Sequence, residues 1–269
     1  MRGPVARCLV LFAVSLAVSA CAVKQMLYPA PPYRVPSPPP APLDEVVWSL
    51  GDGSRVVGWA SGVAANPGAP AVIFFHGNGE NLETMRLGGL YDDLDRLGIA
   101  YLAVDYPGYG ASGGSPSEGS LVEAAVVGFD ELGRRFPGRP KVICGWSLGA
   151  AVAVQLAARR AGEVDGLMLL SPWTDLPSLA GEHFPGWLVS LLLRERYDSI
   201  SRAPELHGAT LVIHGREDRI IPVDHGRRLA EALPDARYLE MPNAGHNDLL
   251  GRPEVWQAMS EYLAGAMTE

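Results

Sequence analysis

Residues 145–149, with the sequence Gly-Trp-Ser-Leu-Gly, are the part of this chain best suited to chemistry. They match the pattern G-x-S-x-G, in which a serine lies on a sharp turn between a strand and a helix. The apolar run from Lys141 to Cys144 precedes them, and an alanine-rich stretch from Leu148 to Arg160 follows. Glycine has no Cβ, so Gly145 and Gly149 leave room for close backbone approach. We therefore predict that Ser147 is a nucleophile held above the edge of a sheet.

A serine hydroxyl needs a base that takes its proton, and the base needs a carboxylate that orients it. His246 is the best candidate among six histidines, because it lies in the loop Pro242–Asp248 after the last predicted strand. Asp218 is the best carboxylate, because it follows the predicted strand Thr210–His214 by one tight turn. The chain order serine, aspartate, histidine differs from the orders of chymotrypsin-like and subtilisin-like enzymes.

The remaining histidines and nearby acids are given other interpretations. His76 and His214 each precede a glycine at a strand end, and we interpret them as structural turn residues. Nothing in the sequence around the other histidines suggests a role. The acids Glu217 and Asp224 are interpreted as solvated loop residues. Cys144 belongs to a predicted core strand, and a buried thiol is a poor nucleophile.

Acyl transfer also needs preformed N–H donors for the developing oxyanion. We assign one to the backbone of Leu148, directly after the serine. We assign the other to the backbone of Asn78 in His76-Gly77-Asn78-Gly79, which resembles an HG-x-G oxyanion turn. A phosphate-binding loop is excluded at this position, because neither the Lys-Ser/Thr pair nor the G-x-G-x-x-G spacing is present.

Short apolar runs alternate with amphipathic helical patterns from Asp44 onward. Such alternation predicts an α/β domain with a doubly wound, mostly parallel central sheet and helices on both faces. A hairpin around Gly51-Asp52-Gly53 opens it, and a capping box at Ser120-x-x-Glu123 is expected to begin one helix. The predicted strands are 45–50, 55–60, 71–75, 99–104, 141–144, 166–170, 210–214 and 237–240. The predicted helices are 82–97, 121–136 and 148–160, one after Pro222 and one after Pro253.

These motifs, together with the run Asp105–Gly114, resemble the α/β-hydrolase superfamily, in particular its BEM46-like branch and the serine aminopeptidase S33-type domain. The resemblance runs from about Asp44 to the C-terminus. It implies a serine hydrolase with Ser147, Asp218 and His246 as its triad. Members of the family differ greatly in substrate, so the resemblance supports a mechanism better than a specificity.

The first twenty residues have the pattern of a signal peptide, with Arg2 and Arg7 followed by the apolar run Leu9–Val18. The run is shorter than the roughly 20 residues of a membrane-spanning helix, although a span is an alternative. Val18-Ser19-Ala20-Cys21 resembles the lipobox of bacterial lipoproteins, which implies acylation of Cys21. Plain secretory cleavage after Ala20 or Ala22 is the competing interpretation. The lipoprotein interpretation predicts an envelope protein anchored to a bacterial membrane, the outer membrane facing the periplasm in a Gram-negative cell.

Residues 21–43 are predicted to join the anchor to a domain that spans 44–269. The segment Pro29–Pro42 contains eight prolines, a composition that favours extended polyproline II. It acts either as a semi-rigid tether or as a strand of chain lying flat on the domain, with Leu27 and Tyr28 tucked in.

Fewer than forty residues separate the strand end at Ser171 from Thr210, so we expect only a small cap, at about 172–205. Within it, residues 185–193 form a short, apolar helix with proline at its first turn. Packing into the core and service as a lid explain this helix equally well. A lid would line an acyl pocket and favour apolar acyl chains.

The composition fits one globular domain, with 48% hydrophobic residues and a formal net charge of −8. Clustered Lys and Arg are absent from the sequence, which argues against a nucleic-acid partner. No metal or other cofactor is expected, since the sequence has no H-E-x-x-H. The favoured function is an esterase for small or apolar acyl groups, with thioesterase or S33-like peptidase as alternatives. A binding module of the envelope is the non-enzymatic alternative, and the oligomeric state is left open.

Overall fold

The structure is a computed structural model that describes residues 24–32 and 34–265. Its centre is a sheet with the strand order β1-β2-β4-β3-β5-β6-β7-β8. The pairs β1–β2 and β2–β4 are antiparallel, and the other pairs are parallel. The strands are β1 Asp44–Ser49, β2 Arg55–Ser61, β3 Ala71–Phe75, β4 Ala100–Val104, β5 Lys141–Trp146, β6 Gly166–Leu170, β7 Thr210–Gly215 and β8 Ala236–Met241.

Helices cover both faces of the sheet. Residues 24–27 are helical and are called α1 here. The α-helices that follow are α2 Leu82–Leu87, α3 Leu90–Arg96, α4 Glu118–Arg135, α5 Leu148–Arg159, α6 Leu176–Gly181, α7 Gly186–Leu192, α8 Ser199–Arg202, α9 Val223–Ala232 and α10 Pro253–Gly265. One core joins α4, α5 and α9 to the sheet, and the other joins α2, α3 and α10. The predicted doubly wound α/β fold is therefore confirmed.

Alternate residues of the central strands belong to different cores, as strand geometry requires. In β3, Ile73 and Phe75 face one core, whereas Val72 and Phe74 face the other. All five residues of β3 are buried. This explains why the strands at the centre of the sheet appear in the sequence as continuous apolar runs.

Two local predictions were wrong. The helix predicted over 82–97 is broken into α2 and α3, because Gly88 and Gly89 separate them and Gly89 has a φ of 84°. The capping box predicted at Ser120 is formed by Ser117, whose side chain accepts from the Ser120 N–H while the Ser120 side chain accepts from the Ser117 N–H. Helix α4 therefore begins three residues earlier, and Glu123 instead accepts a hydrogen bond from the Gly51 N–H at 2.8 Å.

The segment before β1 lies on the domain, which is the second of its two interpretations. Tyr28 is buried, and its hydroxyl lies 3.0 Å from that of Tyr197. The Leu27 carbonyl accepts a hydrogen bond from the Asn78 side-chain amide at 2.6 Å. The predicted signal peptide 1–20 and Cys21 lie outside the described residues. Within the described residues, no helix is long and apolar enough to cross a membrane.

The chain between β6 and β7 forms a small cap of short helices. Helix α6 contributes Leu176 to the core, but α7 has no buried residue. Trp187 and Leu191 of α7 are 70% and 67% exposed. The apolar helix predicted at 185–193 is therefore present, and packing into the core does not explain it.

Candidate active site

Ser147 lies directly between β5 and α5, in a backbone conformation that L-residues rarely adopt. Its φ is 57° and its ψ is −116°, and it occupies the N-cap position of α5. A hydrogen bond to the neighbouring strand β6 holds the turn in place, because the Ser147 N–H donates to the Leu170 carbonyl at 2.9 Å. The chain thus reverses within one residue and directs the Ser147 side chain toward the carboxyl end of the sheet.

The two glycines of the pentapeptide are required by space. A Cβ on Gly145 would lie 2.1 Å from the carbonyl oxygen of Gly149. A Cβ on Gly149 would lie 2.0 Å from the carbonyl oxygen of Phe75. The obstacles are backbone atoms, which cannot move as a flexible side chain would. The predicted close backbone approach is therefore present on both sides of Ser147.

The structure brings Ser147, His246 and Asp218 together. His246 Nε2 lies 2.9 Å from Ser147 Oγ, and His246 Nδ1 lies 2.7 Å from Asp218 Oδ2. An ionised carboxylate only accepts hydrogen bonds, so Nδ1 carries a proton and Nε2 of the neutral ring accepts from the serine hydroxyl. All three residues are less than a tenth exposed. These distances form a continuous hydrogen-bonded chain from carboxylate to hydroxyl.

Asp218 is fixed by further hydrogen bonds. Its Oδ1 accepts from the backbone N–H groups of Ile220 and Ile221 at 2.9 and 2.8 Å. Burial by itself would raise the pKa of the Asp218 carboxyl. Hydrogen bonds from the His214 and His246 imidazoles and from the Ile221 N–H outweigh burial and hold that pKa well below its ordinary value. Asp218 is thus a carboxylate at neutral pH.

His214 belongs to the site, although the sequence analysis interpreted it as a turn residue. It is fully buried in β7, and its Nε2 lies 3.4 Å from Asp218 Oδ2 and 2.9 Å from the Ile221 carbonyl oxygen. It therefore contacts the same carboxylate oxygen as His246. Its position four residues before Asp218, across one turn, is the sequence signal that could have indicated this contact.

The loops that carry Asp218 and His246 are tied to each other. The Glu217 N–H donates to the Ala244 carbonyl at 2.9 Å. A Cβ on Gly215 would lie 2.4 Å from the same carbonyl oxygen, so the loops approach as closely as glycine allows. The Trp146 ring lies 5.6 Å from the His246 ring, centre to centre. Neighbouring strands β7 and β8 thus set the distance between the carboxylate and the imidazole.

Asn78 and Leu148, the two predicted oxyanion donors, both line the cavity above Ser147. Leu148 is the first residue of α5, so its N–H has no acceptor within the helix. The Asn78 side chain is held at both ends, since its amide donates to Leu27 and its Oδ1 accepts from the Tyr109 hydroxyl at 2.7 Å. These bonds fix the loop after β3.

The cavity above Ser147 has a volume of about 460 Å³ and a mainly apolar wall. The N-terminal segment supplies Met26, Leu27 and Tyr28, a contribution that the sequence analysis did not foresee. The rest of the apolar wall comes from the strand ends and the cap, at Trp146, Leu148, Trp173, Leu176, Leu179, Tyr197, Ile220 and Ile221. This cavity is therefore assembled from segments far apart in sequence.

A larger cavity of about 670 Å³ lies beside the first and shares Glu80, Trp146 and Asn247 with it. It does not include Ser147 or His246 among its lining residues. Burial raises the pKa of the shared Glu80. Trp146 therefore lines both the cavity above Ser147 and the larger cavity beside it.

Cys144 offers no alternative nucleophile in the described structure. Cys144 is fully buried in β5, and burial raises the pKa of its thiol, so it is not placed for attack on a substrate. No group of three or more His, Cys, Asp or Glu side chains that could hold a metal ion occurs within residues 24–32 and 34–265.

Comparison with known proteins identifies the family. The family model for serine aminopeptidase S33 matches residues 67–197, and that for the alpha/beta hydrolase fold matches residues 185–253. An uncharacterised protein of Mycobacterium tuberculosis is 38% identical over 207 residues, which cover 76% of this chain and 72% of that protein. The alpha/beta hydrolase domain-containing protein aho-3 of Caenorhabditis elegans is 35% identical over 182 residues, which cover 66% of this chain and 52% of that protein.

A solved structure shows the same fold. The esterase Pf2001 of Pyrococcus furiosus aligns with a TM-score of 0.71 and 21% identity, over 88% of this chain and 99% of that one. By sequence and by fold, this chain belongs to the α/β-hydrolase family and is a hydrolase.

Proposed function

We propose that this protein is a serine hydrolase that cleaves carboxylic esters through an acyl-enzyme intermediate. The observation that carries the proposal is the hydrogen-bonded chain from Asp218 through His246 to Ser147, with distances of 2.7 and 2.9 Å. A neutral imidazole at this distance can take the serine proton as the hydroxyl attacks. The strained turn at Ser147 supports the same role, because it holds the hydroxyl at the floor of the cavity.

The reaction runs in two balanced halves. Ser147 Oγ bonds to the carbonyl carbon of the ester while its proton passes to His246 Nε2. The tetrahedral intermediate then expels the alcohol, which takes that proton from His246, and an acyl-serine remains. Water repeats the sequence: His246 takes its proton, the acyl group leaves as a carboxylic acid, and Ser147 is protonated again.

Asp218 and two backbone N–H groups assist each half. The Asp218 carboxylate keeps the proton on His246 Nδ1 and stabilises the imidazolium that forms. We assign the oxyanion to the N–H groups of Leu148 and Asn78, and a donor of this kind contributes roughly 3 kcal/mol to lowering the barrier. The location of Leu148 at the start of α5 supports the assignment, because a helix N-terminus favours negative charge.

The cavity wall favours an ester with an apolar acyl group. Its surface is largely aliphatic and aromatic, and Glu80 is the one carboxylate in it among the described residues. An aminopeptidase needs an acidic site for the substrate ammonium, and the described wall has a single carboxyl rather than an acidic cluster. A thioester fits the same machinery, so thioesters and aminoacyl amides belong in the substrate panel.

We also propose that the protein is anchored to the cell envelope through acylated Cys21. The lipobox-like sequence Val18–Cys21 supports this anchor. A small-molecule ester and the membrane are then its partners, and a nucleic acid is not expected at a net charge of −8.

The hydrolase proposal is tested with p-nitrophenyl esters of increasing acyl length, aminoacyl amides and thioesters. Ser147→Ala is expected to lower kcat on the preferred ester by roughly 10⁶-fold, as loss of a triad nucleophile does elsewhere. Ser201→Ala, at an exposed serine outside the cavity, is the matched control and is expected to keep full activity. Folded wild-type protein that turns over none of the panel would favour a binding module of the envelope instead.

A further inference from the structure

Five large apolar side chains are exposed on segments that border the cavity, namely α1, the cap and the loop after Asp218. We call them the apolar collar: Met26, Phe184, Trp187, Leu191 and Ile220, which are 42% to 70% exposed. Met26 and Ile220 also form part of the cavity wall. Single exposed apolar residues are ordinary, but a cluster at the entrance to a cavity indicates a surface that contacts something apolar.

The cap joins the rest of the collar to this entrance. Helix α6 supplies Leu176 and Leu179 to the cavity wall, and α7 follows it after a short turn. In that turn the His183 ring donates a hydrogen bond to the Ile220 carbonyl at 3.3 Å. This bond holds the chain just before the start of α7 beside Ile220. Trp187 and Leu191 lie one helical turn apart and therefore share one exposed face.

The N-terminal chain leads from the same entrance to a candidate membrane anchor. The described chain begins at Lys24, two residues before Met26. Cys21 precedes Met26 by five residues, so the chain between their Cα atoms can span at most about 18 Å. An acyl group on Cys21, or a retained apolar run Leu9–Val18, would hold the collar close to a bilayer.

We propose that the apolar collar docks onto a lipid bilayer, so that the cavity opens against the membrane and takes bilayer-held acyl esters as substrates. This inference rests on the proposed hydrolase function and names its substrate class. Tryptophan, phenylalanine and leucine are the side chains that interfacial helices place among the headgroups and the first acyl carbons. Exposed charges of both signs lie within three residues of the collar residues in sequence, at Lys24, Glu182, Arg194, Glu217 and Arg219, so we expect neutral lipid to suffice.

The first test compares two substrates with the full chain reconstituted in phosphatidylcholine vesicles. One is a short, soluble p-nitrophenyl ester, and the other is p-nitrophenyl palmitate held in the same vesicles. The double variant Trp187→Ser/Leu191→Ser is expected to lose about ten-fold or more on the bilayer-held ester and to keep its activity on the soluble one. Neither residue lines the cavity, and α7 buries nothing, so we expect the variant to fold.

Val63→Ser is the matched control for this variant. Val63 is 79% exposed and follows β2, whose last residue pairs with Tyr101 near the start of β4. It therefore lies at the edge of the sheet opposite Ser147, and both activities are expected to stay unchanged. An equal loss on both substrates in the collar variant, or no loss on either, would overturn the proposal.

A second measurement needs no turnover. The difference in fluorescence between the wild type and Trp187→Phe isolates one of six tryptophans. Brominated phosphatidylcholine is expected to quench the Trp187 signal. The control is a tryptophan introduced by Val63→Trp in the Trp187→Phe background, which the same lipid is expected not to quench. If brominated lipid does not quench Trp187, docking is overturned. Docking is also overturned if, without lipid, a second copy of the chain or residues 1–23 already shield Trp187 from water. Quenching without ester turnover would retire the hydrolase proposal and leave docking standing.

Discussion

At the scale of single residues, Asp218 links the site to stability. Its pKa is lowered because hydrogen bonds from two imidazoles and a backbone N–H outweigh burial. A group with a lowered pKa in the folded state contributes stability above its unfolded pKa of about 3.9, and that contribution is lost as the pH falls through the folded value. The site and the fold therefore depend on the same ionised carboxylate.

We expect the free energy of unfolding of the wild type to fall more steeply between about pH 5 and pH 2 than that of Asp218→Asn, whose side chain does not titrate. Denaturant titrations across this range measure the two slopes. In the same variant kcat is expected to fall by about 10⁴-fold, as the equivalent change does in a serine protease. Parallel pH dependences of stability would contradict the hydrogen-bonding pattern described for Asp218.

The sequence pointed to Ser147, Asp218 and His246 because each follows a recognisable strand, and parallel strands bring their carboxyl ends to one edge. The structure places these three side chains in contact. His214 was interpreted as a structural turn residue, and its bond to the Ile221 carbonyl fits that interpretation, but the sequence did not show that it also approaches Asp218. Only the fold of the loop onto β7 shows that its Nε2 lies near Asp218.

At the scale of elements, the turn at Ser147 depends on two glycines packed against backbone. Gly149→Ala is expected to destabilise the protein by several kcal/mol, since its Cβ would meet a carbonyl oxygen at 2.0 Å; overpacking of this kind typically costs about 1–3 kcal/mol or more. Thermal or denaturant unfolding measures the change.

Gly119→Ala is the matched control, because Gly119 lies exposed in the first turn of α4 and its Cβ would meet nothing closer than 3.9 Å. It is expected to be neutral or to stabilise by up to about 1 kcal/mol. Similar unfolding free energies for the two variants would show that the turn tolerates a side chain, against the geometry described.

Strands were easier to predict than helix ends and cap helices. β3 and β6 have the predicted bounds, because a short apolar run between polar turns has few alternative lengths. The break between α2 and α3 was missed, although the dipeptide Gly88-Gly89 between them is a recognised turn signal. The placement of α7 was left open because an apolar run of that length has the same pattern in a core, a lid or a binding surface.

At the scale of the whole molecule, the N-terminal segment is part of the cavity. The prolines of residues 29–42 argued against a helix or a ladder there, but the sequence could not show that Tyr28, just before them, meets Tyr197, 169 residues away. Such a contact depends on the positions of both segments on the finished domain.

The anchor is tested by metabolic labelling with a palmitate analogue. The wild type is expected to be labelled and to fractionate with the membrane, whereas Cys21→Ser is expected to carry no label. Cys144→Ser is the control, because the Cys144 thiol is fully buried and its substitution is expected to leave labelling intact. A mature wild-type protein whose intact mass includes no acyl group would show that Cys21 is not lipidated.

The most direct test of the central proposal is a fluorophosphonate probe, which bonds covalently to an activated serine. Peptide mass spectrometry of the labelled full chain is expected to find one adduct, on Ser147. The adduct should be lost in Ser147→Ala, strongly reduced in His246→Ala and retained in Ser201→Ala. Folded wild-type protein that takes up no probe, or takes it up on another serine, would contradict the proposal that Asp218, His246 and Ser147 form a catalytic relay.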